Sequence, residues 1–333
     1  MTPQELNASP LGLDVGTSRI VVARKAGQGF QYQAQLNAFV NIPYQRMTES
    51  VLQKENVPHV VDSSQIIVHG NESEALANFL QVDTRHPMSR GFLNPQEPDN
   101  LGRLSHIIET LCGRPDGKPL VCYSVPAAPA GEAESLTYHE ATLRQVLESL
   151  GYRAKSIPEG LAVVYAELED SNYTGVGISC GGGLCNVCLS YLSVPVLSFS
   201  VPKAGDFIDT SSAAVVGDRA TRVRAIKEES FHFNGHFAQK LHQVIAVYYD
   251  DMIRALNDAL GEQLSKCRGL PKLARPIPLV LSGGSALPGG FRERFENLLN
   301  ERELPISFSE IRMAESPLHS TAKGALIAAL IDS

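Results

Sequence analysis

The first residues in the chain placed to do chemistry are Asp14, Gly16, Thr17 and Ser18, within Leu11–Arg24 (LGLDVGTSRIVVAR). A carboxylate beside hydroxyls and turn amides suits Mg2+, a hard cation that keeps most of its waters and accepts one or two carboxylates. Glycine lets a backbone approach a ligand closely, and successive N–H groups in such a turn cradle phosphate. Asp and Gly are also common in ordinary hairpin turns, so this motif alone leaves that plainer reading open. Two further glycine turns add weight: Val176–Leu189 (VGISCGGGLCNVCL) and Leu279–Phe291 (LVLSGGSALPGGF). Each of the three follows an apolar run short enough to be a buried strand. The first two continue into a second strand-like run, as a hairpin would, and the third leads into a helix-like stretch at Arg292–Asn300. The second turn has no acid where the first has Asp14.

Other residues compete for attention. Cys180, Cys185 and Cys188 form C-x4-C-x2-C, the spacing of plant-type iron–sulfur ferredoxins, with Cys267 or a distant residue needed as fourth ligand. Small apolar cysteines filling a buried hairpin is the reading preferred here. His232, His236 and His242 in FHFNGHFAQKLH invite a metal, but no matched acid or cysteine spacing accompanies them, and a loop with exposed histidines is the simpler expectation. Tyr248, Tyr249, Met252, Ile253 and Leu256 make an apolar stripe. Helical core packing accounts for it, and an assembly surface is the alternative.

These residues need a scaffold. With 333 residues the chain has room for two domains or one large duplicated one. It is 43% hydrophobic and 20% charged with a formal charge of −7, which suits a globular protein and argues against a general nucleic-acid binder. No apolar run reaches the roughly 18 residues of a membrane span. The start, MTPQELNASP, has neither a signal-peptide core nor a cationic amphipathic face. Reduced thiols and a cytoplasmic location are therefore expected for the six cysteines.

Leu11–Ala23 reads as a hairpin, Val61–Val68 as a strand and Ser73–Val82 as a helix. Asp83–Asn100 is a proline-broken loop, and Leu101–Cys112 has helical spacing. Leu120–Val125 (LVCYSV) suits a buried parallel strand, with a helix at Ala133–Leu150, a strand at Ala154–Ile157 and a helix at Glu159–Leu168 to follow. The second half repeats the theme. A hairpin over Thr174–Tyr191 and a strand at Val194–Val201 lead to helices at Ile208–Val216, Asp218–Glu229 and Ala238–Leu264. A strand at Pro276–Leu281 and helices at Phe291–Leu299 and Leu318–Ile331 complete the pattern. Two halves that each open with a glycine-turn hairpin imply a duplication with a cleft between, the default place for a ligand.

Six segments, in order over nearly the whole chain, resemble the actin-like ATPase superfamily of actin, its bacterial homologues, the large heat-shock chaperones and sugar kinases. Leu11–Arg24 and Val176–Leu189 look like its two phosphate hairpins. Ile157–Ala166 (IPEGLAVVYA) and Ala314–Ala328 (AESPLHSTAKGALIA) resemble its connecting helices as MreB-type proteins have them. Arg224–Glu228 (RAIKE) resembles an adenine-contacting helix, and Leu279–Gly290 the adenosine motif. The resemblance implies an α/β actin-like ATPase fold of two related domains, each with a central mixed β-sheet and flanking helices, and a nucleotide cleft between them. The first would span 10–170 plus 314–333, with an insert at about 27–95. The second would span 171–313, with a reduced small subdomain at about 205–244.

The resemblance also assigns roles. Asp14 would hold hydrated Mg2+ and, with Glu159, serve catalysis, Glu159 orienting the attacking water. Gly16, Thr17 and Ser18 would face the β- and γ-phosphates of ATP or ADP, and Gly181, Gly182 and Gly183 would close over them from the other half. Gly205 and Asp206 would lie near the ribose, with Lys227, Glu228, Gly283, Gly284 and Ser285 around the adenine. The second hairpin departs from the family: Ser179 stands at the acid position, and Leu184, Cys185 and Asn186 follow the glycines where Thr-Thr or Thr-Asp is usual. Each lost catalytic contact costs on the order of 10²-fold in rate, so slow or absent ATP hydrolysis is expected. The implied function is a bacterial actin-like cytoskeletal protein that forms filaments of itself with ATP and Mg2+, with membrane or cell-envelope adaptor proteins as candidate partners. The alternative is a non-polymerising or poorly hydrolysing nucleotide-binding scaffold or adaptor of the same superfamily.

Overall fold

A computed structural model describes residues 9–128, 133–233, 237, 239–271, 273 and 275–333. Strands β1 (Leu11–Val15), β2 (Arg19–Ala26) and β3 (Gly29–Leu36) form an antiparallel meander. Alternation gives it two apolar faces. Leu11, Leu13, Val15, Ile20 and Val22 join the core under helices Asn100–Cys112 and Ala133–Leu150, while Val21 and Ala23 point the other way. An insert follows, with β4 (Phe39–Pro43), β5 (His59–Asp62) and β6 (Gln65–His69) in the order β4-β6-β5. Helices Arg46–Lys54 and Asn71–Leu80 flank it, and Val40, Ile66, Val68 and Ala77 make its own small core. A two-stranded hairpin, β7 (Met88–Ser89) and β8 (Phe92–Leu93), returns the chain to the body. Then β9 (Leu120–Val125) and β10 (Arg153–Pro158) add in parallel to β1, giving the order β3-β2-β1-β9-β10.

The second half repeats this plan strand for strand. β11 (Gly175–Cys180), β12 (Cys185–Tyr191) and β13 (Val194–Val201) form the meander, and β14 (Ile277–Ser282) and β15 (Phe308–Met313) add in parallel to β11. One face of this sheet packs against helices Gly205–Val216, Lys240–Lys266 and Phe291–Leu299.

The opposite faces of the two sheets are covered crosswise. Helix Glu159–Glu167 follows β10 of the first sheet yet lies on β11 and β12 of the second. Helix Ser320–Ile331 follows β15 of the second sheet yet lies on β1 and β9 of the first. Small residues permit the approach: a Cβ on Gly324 would clash with the Ala162 carbonyl, and one on Gly160 would stand 2.6 Å from the Cys188 nitrogen.

The sequence reading departs from the fold in four places. Val61–Val68, read as one strand, is the hairpin of β5 and β6, because Ser63 takes φ 53° and reverses the chain. The loop 83–100 contains the β7–β8 hairpin. Helix Arg46–Lys54 carries no buried residue, its apolar Met47 and Val51 standing exposed, and in β15 only Ile311 is buried, so neither marks a core face. The Tyr248–Leu256 stripe is core: Tyr249, Met252, Ile253 and Leu256 are buried, and Tyr248 meets the Phe207 ring edge-on at 5.6 Å.

Candidate functional site in the cleft

Two carboxylates form the floor of the cleft. Asp14 lies on β1, one residue before its end, and Ser124 at the end of β9 fixes it. The Ser124 hydroxyl donates to Asp14 Oδ1 at 2.7 Å and accepts from the Val15 N–H at 3.0 Å. Burial pushes the Asp14 carboxyl up to about 6, against the pull of the Ser124 hydroxyl. Glu159 opens its helix directly after Pro158. Ser179 of β11 donates to its Oε2 at 3.1 Å. Burial, then the neighbouring Asp14 charge, pushes Glu159 up to about 8, with Ser179 and Asn186 drawing it back. Two buried acids of like charge favour sharing a proton or taking up a cation. Among the described residues no group of three or more His, Cys, Asp or Glu is arranged to hold a metal. A carboxylate pair fits Mg2+ arriving with its waters and a phosphate ligand better than it fits an all-protein cage.

The two hairpin turns meet above this floor. Ser18 Oγ donates to Asp206 Oδ1 at 3.3 Å, spanning the halves. A Cβ on Gly182 would collide with Ser18 Oγ, and one on Gly183 with Thr17 Oγ1, so only glycine allows the turns to come this close. The Gly91 N–H, at the tip of the β7–β8 hairpin, donates to Thr17 Oγ1 at 2.9 Å. Leu184 is buried against Gly91. It is a packing residue that seats the β7–β8 tip on the second turn.

The third turn is tied to the second. The Gly205 N–H and the Ser285 hydroxyl both donate to the Gly181 carbonyl, at 3.1 and 2.7 Å, and the Asp206 N–H donates to Gly182 at 2.8 Å. Lys227 lines the cavity, but its ammonium is committed. It pairs with buried Asp209 at 2.7 Å and donates to the Gly205 carbonyl at 3.3 Å. Glu228 pairs with Arg224 and, across the cleft, with Arg19, both at 2.9 Å.

One cavity of about 270 Å³ is lined by all the residues expected from the sequence: Asp14, Gly16, Thr17, Ser18, Glu159, Gly181, Gly182, Gly183, Gly205, Asp206, Lys227, Glu228, Gly283, Gly284 and Ser285. Sequence reasoning missed Ser124, Arg19, Asp209 and Gly91. Asp209 follows Gly205 by one helical turn, a spacing with no separate signal, and Ser124 is an unremarked hydroxyl within an apolar strand. The cysteines do not converge. Cys180 and Cys185 face one side of the second sheet and Cys188 the other. His232 lines the cavity, His242 lies 3.2 Å from the Ser230 hydroxyl, and His236 is outside the described residues.

Two sheets of identical strand order, crossed helices and a shared glycine-turn cavity define an actin-like two-domain fold. The chain belongs to the Volactin family, which matches residues 10–329. Among solved structures it is similar to the MamK double helical filament, with a TM-score of 0.72 and 16% identity, covering 96% of this chain and 98% of that one. A non-polymerising MamK mutant bound to AMPPNP gives a TM-score of 0.58 and 17% identity, covering 96% and 98%. The ethanolamine utilization protein EutJ from Carboxydothermus hydrogenoformans gives 0.55 and 16% identity, covering 95% and 89%. No curated protein matches the chain in sequence.

Proposed function

We propose that the cleft binds ATP and ADP with Mg2+ and that the chain is a filament-forming cytoskeletal protein with slow hydrolysis. The observation that carries this is the convergence of three glycine turns, drawn from both halves, over the buried pair Asp14 and Glu159. In this reading Asp14 holds the hydrated Mg2+, which supplies charge neutralisation between the phosphates. Gly182 and Gly183 offer backbone N–H groups to them, while those of Gly16 and Gly181 close their own turns onto the Arg19 and Leu184 carbonyls, and the Gly283–Ser285 turn borders the base. Glu159 orients water while Ser179 holds its carboxyl. Assembly is supported by the similarity of fold to a filament subunit at nearly full coverage.

A second reading, a nucleotide-binding scaffold that neither polymerises nor turns over, is favoured by one observation. At the two positions where the actin-like resemblance implies an acid and a hydroxyl, Ser179 donates its proton to Glu159 and Leu184 packs against Gly91. Pelleting and negative-stain microscopy with ATP, AMPPNP and no nucleotide, beside a phosphate-release assay, separate the two. Nucleotide-dependent polymer selects the first; tight binding with neither polymer nor phosphate selects the second. Asp14→Ala should weaken Mg-nucleotide binding roughly tenfold or more, and unchanged affinity removes the cleft assignment.

A further inference from the structure

Every cationic side chain that lines the cavity, other than histidine, already has an acid: Arg19 and Arg224 share Glu228, and Lys227 holds Asp209. The acids of the floor add negative charge. Among the described residues a triphosphate entering here meets backbone amides and cations that each already face an acid, with only the buried Arg224 Nη2 left without a partner. The second turn also lacks a side-chain donor at position 184, and in the first turn Ser18 already donates to Asp206, leaving the Thr17 hydroxyl, which accepts from Gly91, as its one side-chain donor.

One further cationic residue, Arg90, has its backbone beside this gap, although it is not among the residues that line the cavity. Arg90 and Gly91 form the two-residue tip between β7 and β8, both with positive φ, 51° and 81°, as the tightest hairpins require. The Gly91 N–H pins that tip to Thr17 of the first turn, and Leu184 pins it to the second. The Arg90 Cα lies 3.0 Å from where a Cβ on Gly183 would stand. Arg90 is exposed, and among the described residues it makes no hydrogen bond or ion pair. Its backbone is therefore fixed between the two phosphate-facing turns while its guanidinium is uncommitted.

We infer that Arg90 is a built-in cationic finger that closes on the terminal phosphate of a bound nucleoside triphosphate, supplying a donor that the Leu184 side chain cannot. The inference rests on the nucleotide reading of the cleft and assigns it a γ-phosphate sensor. A guanidinium stays charged at all working pH values and offers a forked donor to phosphate oxygens. It would distinguish the triphosphate from the diphosphate, which has no group at that point. Leu184 serves the same end by holding the tip in place.

The test compares affinities for AMPPNP and ADP, by calorimetry with Mg2+, in the wild type, Arg90→Ala and Arg90→Lys. Arg90→Ala should lose about 10- to 100-fold in AMPPNP affinity, the scale of one charge-assisted contact, and keep its ADP affinity within about threefold. Arg90→Lys, which keeps the charge without the fork, should fall between. An unchanged AMPPNP-to-ADP ratio in Arg90→Ala overturns the inference, as does an equal loss for both nucleotides, which would mark a structural role. Wild-type protein that binds neither nucleotide removes the cleft reading itself, and the finger with it.

Discussion

Glu159 and Asp14 make the floor of the cleft sensitive to pH before any ligand arrives. Both carboxyls sit above their ordinary range in the folded chain, Glu159 at about 8 and Asp14 at about 6. Groups with raised folded values contribute stability that is complete below their unfolded values, near pH 4, and is lost as pH rises through the folded ones. The contribution of this pair is therefore lost between about pH 4 and 8, while the buried His69 and His139, whose values burial lowers to about 3 and 4, act in the opposite sense as pH falls. Glu159→Gln keeps the shape without the charge, so thermal melts at pH 8 should show a stabilisation on the order of 2 kcal/mol, with little change near pH 4.5. The same variant should lose phosphate release. A variant less stable than wild type at pH 8 contradicts this account. Asp14, the glycines and Glu159 were legible because turn chemistry needs particular residue types. Ser124 and Asp209 were not, since each acts through a partner more than 15 residues away or one turn along, and such pairing exists only in the fold.

Between the insert and the second half, single elements bridge the cleft mouth. Helix Ala220–Ser230 has no side-chain cap of its own. Asp83, from the far side, accepts the Thr221 N–H at 3.2 Å and so supplies the acceptor in trans. Arg219 donates to the Val82 carbonyl at 2.9 Å, and Thr221 Oγ1 accepts from the Thr84 N–H at 3.3 Å. Opening the cleft breaks these bonds together. The pair Asp83→Ala with Arg219→Ala should speed release of a fluorescent nucleotide roughly 30-fold, given about 1 kcal/mol for each of the two bonds lost. Release at the wild-type rate would mean that the cleft opens by another route. Elements with an apolar period were legible from the chain, as at Ala133–Leu150 and Phe291–Leu299. Edge elements were not: β15 and the helix Arg46–Lys54 bury too little to mark a core face.

At the scale of the whole molecule the two halves share one plan, and the glycine turns announced it because each hairpin repeats its place in the meander. The insert adds exposed apolar side chains, with Phe79 83% and Met47 81% exposed. Exposed apolar surface marks candidate association sites. If the proposed filament forms through the insert, Met47→Asp with Phe79→Asp should raise the critical concentration about tenfold or more while leaving nucleotide affinity intact. Polymerisation at the wild-type threshold would place the contacts elsewhere. Among the described residues no helix is long and apolar enough to cross a membrane.

The crossed helices have a consequence for how the protein is made. The face of the first sheet that carries Val21 and Ala23 is covered by Ala322 and Leu326, which leave the ribosome some 300 residues later. Domains ordinarily fold as they emerge, the N-terminal one first. Here the first half stays unfinished, with one apolar face bare, until residues 320–331 have been translated. Synthesis stalled before that point should yield a nascent chain that chaperones hold and proteases cut, so the last turn of the cleft and the completion of the first sheet arrive almost at once.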